Sequence, residues 1–122
     1  MLLVQLDVRS ASASQGRDWS AQARATAERH HARVRRLVTA RARSRSGMAT
    51  DAAWPAAEAL LGACRRHART VAECIAAAEV ADEVGDHLTG ALLRDRAVEA
   101  RDSFCRAATT LRETGDRLDG GA

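Results

Sequence analysis

The sequence predicts an all-α protein, an antiparallel helical bundle of three main helices, and three observations carry that prediction. Ala is abundant, Pro55 is the only Pro, Tyr is absent, Phe104 is the only Phe, and β-branched runs are missing. Apolar residues recur at three- and four-residue steps through long stretches of the chain. Between Glu79 and Leu93 one helical pattern stops and another begins, with Gly85 where a helix C-cap is expected and Asp86 placed to cap the next helix. At 122 residues the chain forms one domain. Trp19, Trp54 and Phe104 are the only large rings available to a core otherwise built from Ala, Leu and Val. A core that thin predicts a homo-oligomer, because little area is buried per residue.

The elements follow in order. Residues 1–17 read as a flexible N-terminal arm, with Leu2 to Val8 as a short strand or ordered segment and Ser10 to Gly16 as a linker. The bundle domain is expected over 18–118, its first helix opening with Asp18 as N-cap. Trp19, Ala23, Ala27, His30, Val34 and Leu37 or Val38 form the stripe of that helix, and Arg45 to Gly47 mark its stop. Thr50 or Asp51 caps a second helix, with Pro55 tolerated in the first turn, and this helix runs to about Val84. Its seam is Leu60, Cys64, His67 or Ala68, Val71, Cys74 or Ile75, Ala78 and Ala81. A third helix spans roughly His87 to Arg117, with Leu88, Leu92 or Leu93, Ala97, Ala100, Phe104 and Leu111 on its seam. Residues 51–118 therefore read as a helical hairpin, and 119–122 as a frayed tail.

Charge is segregated along the chain. Residues 1–50 carry a net charge of +7 and residues 51–122 a net charge of −4, and every basic residue is Arg. Arg29, Arg33, Arg36 and Arg43 fall roughly on one helix face, with Arg35, Arg41 and Arg45 flanking. Such a face suits DNA phosphates, held without reading sequence. It equally suits an acidic protein partner, or the acidic second half of the same chain. Met1 to Leu6 is apolar but too short for a signal segment, and no run approaches the ~20 apolar residues of a spanning helix. These points predict no membrane association and a cytoplasmic protein. An odd number of Cys, three, fits free thiols in a reducing compartment.

From His67 to Leu93 the chain resembles the last two helices of the Dps proteins, the DNA-binding proteins from starved cells, within the ferritin-like family. The residues that carry the resemblance are the Gly85-Asp86 turn, then Thr89, Ala91, Leu92 and Leu93 opening the final helix, with Glu99 and Phe104 further along. The resemblance implies a ferritin-like C-terminal hairpin and a stress-protection protein that binds DNA non-specifically and associates with iron. The family's ferroxidase ligands come from its first two helices, and Trp19, Glu28, His30 and His31 do not reproduce their spacing.

Two further groups invite a site. Cys64 and His67 lie one turn apart, and folding the hairpin about Gly85 brings Cys105 near their level, a soft-metal trio for zinc or copper; otherwise the thiols are small core hydrophobes. His30 and His31 point in different directions on a helix and cannot chelate together. Glu79, Asp82, Glu83 and Asp86 read as a solvated surface. No Ser-His-Asp arrangement, phosphate loop, Glu-x-x-His pair or paired catalytic carboxylates is found, so the expected role is binding. The competing function is a non-catalytic helical interaction module whose basic first helix docks an acidic partner.

Overall fold

The computed structural model describes residues 5–43 and 52–120. Three helices account for most of them: α1 (Ala13–Arg43), α2 (Ala53–Glu83) and α3 (His87–Gly120). They pack as an up-down-up bundle. Gly16 of α1 meets Ile75 of α2, whereas His31 meets Trp54 near the other end, so α1 and α2 run antiparallel. Trp19 faces Phe104 and Arg33 faces Asp116, so α1 and α3 run parallel.

The hairpin closes as its local chemistry dictates. Gly85 takes φ of 83°, its N–H donates to the Asp82 carbonyl, and the Asp86 N–H donates to the Ala81 carbonyl at 2.8 Å. These are the two bonds of a Schellman ending, which needs a residue at ease in the left-handed region. Asp86 then caps α3, its Oδ1 accepting from the Thr89 N–H at 3.1 Å, and hydrogen bonding from the Thr89 hydroxyl first, then from that N–H, holds the carboxyl below its usual pKa. Pro55 sits in the first turn of α2, as expected. The caps expected at Thr50 or Asp51, and the stop expected at Arg45 to Gly47, lie outside the described residues.

The start of α1 differs from the expectation. The helix opens at Ala13, not after Asp18, and the reason is a reciprocal cap. Ser12 N–H donates to Gln15 Oε1 at 2.8 Å, and Gln15 N–H donates to Ser12 Oγ at 3.2 Å. The Ser- and Ala-rich stretch that resembles a linker is therefore the first turn of a helix. The described part of the expected arm is packed rather than free: Val8 and Ala11 are buried beside Trp19 and Phe104. Its carbonyls are held by α3, Arg94 Nη1 donating to Val8 and Ala11 and Arg101 Nη1 to Leu6. At the other terminus α3 continues through Asp119, which pairs with Arg33, where fraying was expected.

Two apolar clusters fill the bundle. The larger joins Val8, Trp19, Leu61, Cys64, Val71, Ile75 and Phe104; the smaller, at the open end, joins Val34, Ala57, Leu111 and Leu118 with Trp54 and Leu37 against it. Ala lines most of the helix contacts, which lets the backbones approach but leaves few large groups to bury. Among the described residues no helix is long and apolar enough to cross a membrane.

Candidate nucleic-acid interface

Residues 29–43 hold six Arg and no acid. Within the helix, Arg29, Arg36 and Arg43 recur at seven-residue steps, which drift only about 20° per step and advance about 10.5 Å. All three are exposed, on the side of α1 opposite buried Ala27 and Val34. The row is thus about 21 Å long, over which a DNA duplex presents roughly a dozen phosphates. Arg29 Nη2 donates to Thr26 Oγ1 at 2.9 Å, an exposed bond that leaves its charge unneutralised. Arg35, Arg36 and Arg43 make no ion pair among the described residues, and together with Thr39 and Ala40 they line a shallow depression.

Arg33, grouped with this row on sequence, belongs elsewhere. Its guanidinium forks onto Asp116 at 2.6 Å and Asp119 at 3.0 Å, both on α3. The pairing draws the Asp116 carboxyl below its ordinary pKa and raises that of Arg33. One of the four expected arginines is therefore spent on the acidic half of its own chain, as is Arg9 on Asp95, while Arg65 of the acidic half pairs in the reverse sense with Glu28. Arg41 likewise turns inward, both Nε and Nη2 donating to the Leu118 carbonyl at the end of the bundle.

The two histidines diverge as their adjacency requires. His31 packs on Trp54, ring centroids 4.9 Å apart, and its Nε2 meets Glu58 Oε1 at 2.6 Å. His30 turns toward α3 and is half-buried. Burial first, then Arg112, Arg29 and Arg33, push its pKa down, so it adds no positive charge at neutral pH. The same repulsion places Arg112 of α3 near His30 of α1. Sequence order hid this, because α3 comes alongside α1 only through the fold.

The thiol trio does not assemble. Cys64 is fully buried in the larger cluster, while Cys105 is exposed and His67 half-buried. Burial, with a smaller repulsion from Cys105, pushes the Cys64 thiol up to about 11, so it is protonated at neutral pH. Among the described residues no group of three or more His, Cys, Asp or Glu is placed to hold a metal ion, iron included. The acids near the turn have structural work instead. Glu79 accepts from the Ala13 N–H at the start of α1, and Asp82 faces Arg94 at 3.7 Å and His87 at 3.4 Å.

No family model, curated protein or solved structure matches the chain.

Proposed function

We propose that this chain is a small helical protein that binds the phosphate backbone of DNA without reading its sequence, through the outer face of α1. The Dps resemblance implied the same partner. The observation that supports it is the acid-free row Arg29, Arg36 and Arg43, flanked by Arg35. Charge-assisted bonds from guanidinium forks to phosphate supply affinity, and displacement of condensed counterions drives the association. The face has no aromatic side chain to stack on bases and no segment shaped to enter a groove, so the reading is of backbone contact alone.

Fluorescence anisotropy with a labelled duplex of arbitrary sequence tests the proposal. Binding at low salt that is equal for unrelated duplexes, and strongly weakened in the Arg29, Arg36 and Arg43 triple variant, supports it. Absence of binding at low salt overturns it. So does a triple variant that binds as tightly as the parent.

A further inference from the structure

Among the described residues the large hydrophobic side chains left in solvent are Val80, Val84, Leu88 and Leu92, at 59%, 75%, 74% and 60% exposure. All four flank one turn. Val80 and Val84 end α2, the latter as its C-cap, and Leu88 and Leu92 open α3. The register of the hairpin keeps them at one level, because Gly90 packs on Asp82 and on the Ala78 carbonyl. They also share a side. Glu79 faces α1, where it accepts from the Ala13 N–H, and a rotation of 100° per residue turns Val80 and Val84 about 100° and 140° away from it. Arg94 faces the arm, and Leu88 and Leu92 stand about 120° and 160° from it. The patch therefore lies on the side of the hairpin remote from α1, which three helices leave uncovered.

Its rim carries charges that match the rim of a second copy. Arg96 stands one turn beyond Leu92, and Glu83 lies at the turn; both are exposed and make no ion pair among the described residues. Two copies of α3 laid antiparallel about a two-fold axis at the level of Gly90 put Leu88 of one on Leu92 of the other. Arg96, six residues from the axis, then sits about 9 Å out. That is past the start of the facing α3, over its turn, where Glu83 and Asp86 carry negative charge. The symmetry repeats the pairing on the other side of the axis, as an isologous interface requires.

The area agrees with a reversible pair. Four side chains about two-thirds exposed amount to roughly 150–300 Å² of apolar surface, and a two-fold dimer counts it twice. An interface of about 1,000 Å² in total, at the low end of specific association, needs somewhat under 600 Å² of apolar surface. We propose that the Val80–Leu92 patch is the face on which this chain pairs with a second copy of itself, hairpin against antiparallel hairpin. The homo-oligomer expected from the thin core then has a place to form. The basic row of α1 lies on the far side of the bundle, so pairing leaves it open, and the pairing stands whether or not that row meets DNA.

Sedimentation equilibrium of the full chain without DNA, over a micromolar to millimolar series, tests the proposal. The mass is expected to rise from 13.1 kDa to twice that value and to stop there. Leu88→Gln with Leu92→Gln weakens the dimer about a hundredfold, four buried leucines being lost per pair. Both sites are exposed, so the variant keeps the helical circular dichroism of the parent. Arg96→Glu weakens it about tenfold, and adding Glu83→Arg restores it. A monomer at every concentration overturns the proposal and leaves the patch to a different partner. A dimer indifferent to the leucine substitutions overturns it as well, as does one that the charge exchange fails to restore.

Discussion

Substitution of Arg29, Arg36 and Arg43 by Ala tests the basic face most directly, because the structure sets the size of the effect. Each phosphate contact contributes about −0.9 to the slope of log K against log salt. Four contacts, from the three aligned arginines and Arg35, give a slope near −3.6, and the affinity falls roughly 150-fold between 50 and 200 mM salt. The triple variant keeps one contact, a slope near −0.9, and only about a 3.5-fold loss over the same range. Ala is the best helix former and all three sites are exposed, so the bundle itself is expected to melt within a few degrees of the parent. The pairing of Arg33 supplies an independent arm. Replacing Asp116 and Asp119 by Asn frees its guanidinium, and the slope steepens by up to about 0.9. Anisotropy titrations across a salt series read all of these. A triple variant whose affinity drops while its slope stays near −3.6 refutes the reasoning, since affinity would then be lost for some cause other than phosphate contacts.

Other outcomes follow from the core and the caps. Phe104→Ala removes the largest fully buried side chain and its edge-on contact with Trp19 at 5.4 Å. About 3–5 kcal/mol should be lost in urea unfolding, a large share of the roughly 6–18 kcal/mol typical of this length. Asp86→Ala takes the side-chain acceptor from the Thr89 N–H and should cost about 1 kcal/mol in the same assay. A thiol reagent at pH 8 should titrate Cys105 in the native protein, with Cys64 and Cys74 joining only in denaturant. Burial raises the pKa of both buried thiols, Cys64 from 9.0 to about 11. Above pH 9 the unfolded chain therefore loses thiol protons that the folded chain retains, and stability falls as the pH rises toward 11. The chain has neither Lys nor Tyr to titrate in that window, so alkaline melting curves report chiefly on the thiols. Cys64→Ala should flatten them.

What was legible in the sequence is what local chemistry determines. Gly85 and Asp86 announce a Schellman ending and a cap because both motifs are closed within six residues. The seam of α2 was legible in the same way, since Cys64, Ala68, Val71, Ile75 and Ala78 keep helical spacing. Ser12 and Gln15 carry an equally local signal, four residues in capping-box order, but the surrounding Ser and Ala resemble a linker in composition. Arg33 and Arg36 could not be told apart along the chain. The carboxylates that claim Arg33 lie 83 and 86 residues away on a helix whose side-by-side, parallel placement arises only from the closed bundle. Cys64 and Cys105 are neighbours, as the register suggested, yet one faces inward and the other outward, which spacing alone does not reveal.

The arm has a consequence for how the chain is made. The Leu6 carbonyl takes its hydrogen bond from Arg101, 95 residues later, and Val8 waits for Arg94. At about 5–20 residues per second, a ribosome needs some 5–20 s to deliver those partners. Through that interval Val8, Ala11 and Trp19 have been synthesised but lack Phe104 and α3 to cover them. The nascent chain therefore shows chaperones an apolar segment until α3 has emerged, and this part of the core closes late.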